Sequence, residues 1–138
     1  MLNCFEGLVR KDAEGKYSPA AAKSWSYDAS TLTYTFKLRE DARWVIMKKA
    51  FKPILGDNID KTFDSRVTAA DFVFALRRAV APATGAPEAL SLGVIKNAKS
   101  IINGKMSSDK LGVQAVGDVE LRMTLESATN ESAFLDLL

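Results

Sequence analysis

From Leu32 to Arg39 the chain alternates without a break: Leu32, Tyr34, Phe36 and Leu38 fall on one parity, Thr33, Thr35, Lys37 and Arg39 on the other. Successive side chains of a β-strand point to opposite faces, so this stretch reads as a strand with one face in a core and one in water. A half-buried strand needs partner strands and a covering layer. The nearest partner lies just upstream. Trp25 and Tyr27 share a parity, and Asp28-Ala29-Ser30 is turn chemistry, which predicts an antiparallel hairpin whose two apolar parities face the same core.

A second hairpin is expected over residues 113–125. Val119, Leu121, Met123 and Leu125 alternate with Glu120, Arg122 and Thr124, and Gly117-Asp118 suits a two-residue turn. Between the hairpins, residues 67–82 carry the clearest helix pattern. Thr68 is a natural N-cap with Asp71 three residues on, and Phe72, Val73, Leu76, Ala79 and Val80 form the stripe expected to be buried. Arg77 and Arg78 suit the C-terminal end of the helix dipole, and Pro82 stops the helix. Full burial of Phe72 predicts a cost of about 3–5 kcal/mol for Phe72→Ala.

The remaining segments are shorter. Residues 3–9 read as the tail of a helix or the entry to the domain, with Phe5, Leu8 and Val9 on one helical face and Cys4 as a small core residue. Residues 11–19 read as a hairpin tip closed by Pro19. Residues 87–105 start at Pro87 and hold one or two short helices, interrupted near Gly93 and ended by Gly104. Asn130 or Ser132 caps a last helix, cut after about one turn, which reads as a truncation. There is no βαβ alternation and no internal repeat. The expected fold class is α+β, a small antiparallel sheet of hairpins with helices packed on one face, formed by residues 1–138 as a single domain.

Several function classes are disfavoured on composition. The net charge is +2 with no basic stripe, against nucleic-acid binding. There is no histidine, which removes His-based triads and most catalytic zinc sites. The single cysteine forbids an intrachain disulfide, and no apolar run is long enough to span a bilayer. Carboxylates are the remaining acid–base candidates: Asp57, Asp60 and Asp64 in one loop, Glu120 and Glu126 near the second hairpin. Their spacing matches no catalytic pair, and they read as solvated charge. A calcium loop starting at Asp57 fails at its sixth position, where Thr62 stands in place of glycine. Trp25, Tyr27, Tyr34 and Phe36 read as core, and Trp44 as either core or surface. No catalytic residue, metal site or cofactor is expected.

Taken in order, the segments FEGLVRKDAEGKYSPAAAKSW, LTYTFKLREDARW, VTAADFVFALRRA, INGK and LGVQAVGDVELRMTLE resemble the extracellular solute-binding proteins of peptide ABC transporters, the oligopeptide-binding family. The resemblance covers nearly the whole chain. It implies the second lobe of a type II periplasmic-binding-protein architecture, a fragment of a longer protein. It further implies a non-catalytic substrate-binding role in oligopeptide uptake. The peptide ligand would be held only with domains missing here, the partner would be a membrane ABC permease, and the location would be extracytoplasmic, periplasmic or lipid-anchored at the cell surface, with the signal sequence absent from these residues. Alternatives are a lobe for a dipeptide, a nickel chelate or a sugar, or a stand-alone interaction module. Two departures from the family's pattern matter. Residues 45–66 fill a gap that is short in typical members, and read as an inserted loop. Glu88 follows Pro87 where peptide binders often carry an aromatic residue. It is the candidate ligand-binding residue, suited to a cationic group, or else a first-turn helix residue facing solvent.

Overall fold

The computed structural model describes residues 6–45, 53 and 64–138. The first element is a small antiparallel hairpin, β1 (Val9–Lys11) and β2 (Tyr17–Pro19), with Val9 opposite Pro19. Its tip is tied by the Asp12 carboxylate, which accepts the Lys16 backbone N–H at 2.7 Å. The hairpin tip read from residues 11–19 is therefore present. Of the segment 3–9, residues 6–8 are not helical and Val9 opens a strand, so that stretch is an entry to the domain and not a helix tail. Cys4 and Phe5 lie outside the described residues.

The main sheet holds four antiparallel strands. These are β3 (Ala22–Asp28), β4 (Thr33–Leu38), β5 (Val113–Val116) and β6 (Glu120–Thr124), in the order β3-β4-β6-β5. Both expected hairpins form, and they join through β4 and β6, which sets Phe36 opposite Leu121 and Tyr34 opposite Met123. Trp25 pairs with Phe36 and Tyr27 with Tyr34, so the apolar parities of both hairpins do share one face. The β5–β6 turn differs from expectation. Val116 pairs with Glu120, so three residues cross over, and Gly117 takes a φ of 64° that only glycine adopts without strain.

Among the described residues, three α-helices cover the apolar face or close its ends: α1 (Ala69–Val80), α2 (Ala98–Ile102) and α3 (Glu131–Leu135), with 3-10 turns at Pro82–Thr84, Ala89–Val94 and Ser108–Lys110. The Asp71 carboxylate accepts both the Thr68 backbone N–H (2.7 Å) and the Thr68 hydroxyl (2.9 Å), which fixes the start of α1 where the sequence put it. Its end also matches, with Arg77 and Arg78 in the last turn and Pro82 beyond the cap. The buried stripe does not match fully. Ala69 and Val80 are buried, while Phe72, Val73 and Leu76 are only partly covered. In 87–105 the helical segment begins after Glu88 in a 3-10 turn, and Gly93 is its one buried residue. Gly104 closes α2 with a φ of 70°.

The core runs across the sheet. Tyr34, Phe36 and Phe134 are its largest fully buried side chains, joined by Leu38, Ile95, Ile101, Leu121, Met123 and Leu125. Burying each of these contributes about 1.5–3 kcal/mol before conformational entropy is set against it. The opposite sheet face is polar: Thr33 lies opposite Thr124, Thr35 opposite Arg122 and Lys37 opposite Glu120.

Candidate functional site

Three of the candidate carboxylates, Glu120, Glu126 and Asp64, are engaged in holding the fold. Glu120 accepts from Lys37 across the β4–β6 pair and from Arg122 Nε at 2.7 Å, and these two cations hold its carboxyl below the usual range. Glu126 accepts the Asn97 backbone N–H at 2.9 Å. Asn97 sits in the left-handed region at the start of α2 and donates its side-chain N–H to the Lys110 carbonyl at 2.7 Å. Asp64 is clasped by Arg66 (2.8 Å), whose guanidinium hydrogen bonds push it down. Asp57, Asp60 and Thr62 lie outside the described residues. Among the described residues no group of three or more His, Cys, Asp or Glu could hold a metal ion.

Glu88 stands exposed in the stretch between α1 and α2, at the entry to the 3-10 turn Ala89–Val94, and accepts the Ser91 hydroxyl at 3.2 Å. It lines none of the depressions described below. Pro87 lies just before it, outside any helix.

A groove of about 500 Å³ lies where β4 ends. Trp44 and Val45 form one wall and Phe72 and Ala75 of α1 the other, with Arg39 and Asp41 at its rim. Trp44 is 50% exposed, which resolves its ambiguous sequence reading in favour of the surface. The backbone at this groove is pinned. Trp44 N–H donates to the Ser65 carbonyl (2.7 Å), Val67 N–H to the Ala42 carbonyl (3.1 Å), and Arg43 and Arg66 form an antiparallel bridge. Two arginines can sit side by side here because Arg66 is neutralised by Asp64 and Asp118 (3.1 Å), while Arg43 donates to the Glu40 and Ala42 carbonyls. Residues 42–44 and 65–67 are thus held side by side as a neck. The segment read as an inserted loop, 45–66, starts and ends beside it, and residues 46–52 and 54–63 lie outside the described residues.

The second depression lies on the polar sheet face, where Thr33, Thr35, Gln114, Arg122 and Thr124 surround a shallow basin beside Asp28. The Asp28 carboxylate is spent on its own turn, accepting Ser30 N–H and hydroxyl and the Thr31 hydroxyl, which lower its pKa. The parity of 32–39 had assigned Thr33 and Thr35 to water; that Gln114 and Arg122 join them follows from the β4–β6 register, which no local signal sets.

The model of the bacterial extracellular solute-binding proteins, family 5, middle region, matches residues 16–138. Among curated relatives, the periplasmic oligopeptide-binding protein OppA of Haemophilus influenzae is 45% identical over 115 residues, covering 82% of this chain and 18% of that protein. The dipeptide-binding protein of Lactococcus lactis is 38% identical over 133 residues, covering 96% of this chain and 21% of that protein. The structure superposes on the substrate-binding domain of an oligopeptide ABC transporter from Bacillus anthracis with a TM-score of 0.75 at 40% identity, covering 94% of this chain and 22% of that one. It superposes on Haemophilus influenzae OppA in complex with the peptide RPPGFSPFR with a TM-score of 0.72 at 39% identity, covering 94% and 22% of the two chains. The chain therefore spans about a fifth of the length of the relatives it matches. Among the described residues no helix is long and apolar enough to cross a membrane. With the family model matching all but the first fifteen residues, this chain belongs to the bacterial extracellular solute-binding proteins of family 5.

Proposed function

We propose that these residues form a scaffold lobe of the substrate-binding component of an ABC transporter for oligopeptide uptake, working outside the cytoplasm with a membrane permease and catalysing no reaction. The observation that carries this reading is the superposition on a relative solved with a bound peptide, at 39% identity over 94% of this chain. The side chains support it too. Asp28, Asp64, Asp71, Glu120 and Glu126 are committed to caps, turns and cross-strand pairs, which suits a lobe that holds shape while peptide is gripped largely by other parts of the protein. The neck at Arg43 and Arg66 supports taking 45–66 as an insertion on that scaffold.

Glu88 is the residue through which this lobe would touch the ligand, meeting a cationic group of the peptide. Its exposure and its place in an irregular connection favour that role. A second reading, a lobe serving another solute, is favoured by two relatives: the Lactococcus lactis dipeptide-binding protein and a probable deoxycholate-binding periplasmic protein of Escherichia coli, 36% identical over 128 residues.

The test is a thermal-shift screen on a polypeptide of the relatives' length carrying this lobe. A peptide mixture should raise the melting temperature, and Glu88→Gln should weaken lysine- and arginine-containing peptides more than neutral ones. A shift with dipeptides, a bile acid or a metal chelate, and none with longer peptides, would replace the oligopeptide reading by the second.

A further inference from the structure

Among the described residues β5 ends the sheet, and only one of its sides is paired. Thr124 N–H donates to the Gly112 carbonyl at 2.8 Å, marking 112 and 124 as a hydrogen-bonded pair. Gln114 then pairs with Arg122 and Val116 with Glu120 in the same sense, so Val113 and Ala115 turn their backbone groups outward. Val113 N–H closes a tight turn on the Leu111 carbonyl at 2.7 Å. The Val113 carbonyl and both backbone groups of Ala115 take no partner among the described residues. Exposed edges are normally protected by Lys, Pro or an inward charge. The β5 sequence Val-Gln-Ala-Val has none of these, and Val116 is 37% exposed.

Beside this edge α1 leaves a groove. Val73, Phe74, Arg77 and Arg78 line it from the helix, and Gln114 and Ala115 from the strand. Phe74 is 67% exposed although it projects from the best-formed helix of the domain. The lining holds one acid, Asp109, and that carboxylate is paired with Lys110 at 3.1 Å. Arg77 donates one N–H to the Asp109 carbonyl (3.1 Å), while its Nε is buried without a partner. Open backbone hydrogen bonds, an exposed aromatic ring and two arginines, with the one acid of the lining paired to Lys110 instead, define what fits: an extended backbone carrying acidic side chains. A second copy of this chain fits poorly, because pairing β5 with β5 would bring four guanidinium groups together.

We propose that the β5 edge and the groove between it and α1 form a docking surface for an extended, carboxylate-bearing segment of a partner protein, which adds to the sheet as a fifth strand with its acids against Arg77 and Arg78. The groove's lining does not include Glu88, and the proposal stands whether or not the cargo is a peptide.

The experiment uses the 138-residue chain and two labelled octapeptides of Thr and Val, one interspersed with Glu and the other with Lys, followed by fluorescence anisotropy and amide hydrogen exchange. The Glu peptide binds, the Lys peptide does not, and exchange at the Ala115 amide slows on binding. The double variant Arg77→Gln/Arg78→Gln weakens binding by about tenfold or more. Ala115→Pro removes the outward N–H and abolishes binding; because Ala115 packs against the core, its melting temperature is checked first, and if the variant unfolds, the Ala115 exchange rate in the unaltered protein decides instead. Equal binding of the two peptides, no binding at millimolar peptide, or no slowing at Ala115 would overturn the proposal. A concentration-dependent dimer with Ala115 already protected would assign the edge to a second copy and overturn it equally.

Discussion

The rings of Tyr34 and Phe134 lie with their centroids 4.6 Å apart, joining the inner strand β4 to α3, ninety-odd residues later in the chain. Phe134 is fully buried, and Tyr34 also stacks on Tyr27 at 4.5 Å. A helix as short as α3 has almost no stability of its own, so it is held by tertiary contacts: this ring pair, buried Leu135, and the hydrogen bonds of Tyr17 to the Ser132 carbonyl and Asp136. Phe134→Ala should destabilise the domain by about 3–5 kcal/mol, removing an aromatic core side chain and leaving a cavity over Tyr34. Urea unfolding followed by tyrosine and tryptophan fluorescence measures this. A loss below about 1 kcal/mol would mean that α3 can leave the sheet without disturbing it.

The start of α1 is held by one carboxylate serving two donors of the same residue, Thr68 N–H and Thr68 hydroxyl. Asp71→Ala should cost about 1–2 kcal/mol, since it leaves the N–H unpaired and removes an acid from the positive end of the helix. Thr68→Ala should cost about 1 kcal/mol or less. Because the two residues share this contact, the double variant should cost less than the sum of the single ones, and a denaturant-unfolding double-mutant cycle reads the difference. Strict additivity would show that the pair is not coupled.

These two cases divide what was legible in the sequence from what was not. The α1 cap and both hairpins were visible because each is set by residues a few positions apart: Thr68 with Asp71, Asp28 with Ser30, Gly117 at its turn. The β4–β6 pairing, the docking of α3 on Tyr34 and the basin of Thr35, Gln114 and Arg122 depend on contacts across many residues. The sequence supplies compatible parities for these without naming partners. The Phe72 stripe shows a different failure. Helical period identifies the apolar face but not how much of it finds a neighbour, and the middle of this face opens onto the Trp44 groove. Of the proposed contacts, Glu88 was visible as a departure from a resemblance, whereas the β5 edge carries no sequence mark except its lack of charge.

Phe72 accordingly gives a prediction smaller than its sequence position implied. It packs against the core on one side and lines the groove on the other. Phe72→Ala should cost about 1–2 kcal/mol, in keeping with partial burial, and not the full cost of a core phenylalanine. A measured loss above about 3 kcal/mol would show that the groove is closed over Phe72 in solution.

Gly112 presents a steric case. A Cβ at this position would sit 2.7 Å from Lys96 Cβ and 2.9 Å from the Thr124 carbonyl oxygen. The contacts that bring these chains so close are backbone hydrogen bonds, Gly112 N–H to the Lys96 carbonyl and Thr124 N–H to the Gly112 carbonyl. Gly112→Ala should therefore destabilise by about 1–3 kcal/mol even though the backbone angle itself suits alanine. Thermal unfolding checks the size, and amide exchange at Thr124 should speed up. Unchanged exchange there would place the strain elsewhere.

The pairing of Glu120 with Lys37 and Arg122 makes a pH prediction whose sign is fixed by the direction of its shift. The Lys37 hydrogen bond, then that of Arg122, holds the folded-state pKa of Glu120 below its ordinary value. A depressed carboxylate pKa means that the unfolded chain takes up the proton first as acid is added. The group's contribution is therefore complete above the unfolded value of about 4.3 and is lost as pH falls from there through the folded value. Melting temperatures of the unaltered protein and of Glu120→Gln, taken from about pH 7 down to about pH 2.5 at constant ionic strength, should differ by a fixed amount above about pH 5 and converge below. Raised salt should shrink the gap at neutral pH, since both cations are half-exposed. If the gap persisted undiminished into the acid range, the side-chain packing of Glu120 between β4 and β6, not its charge, would account for its place in the sheet.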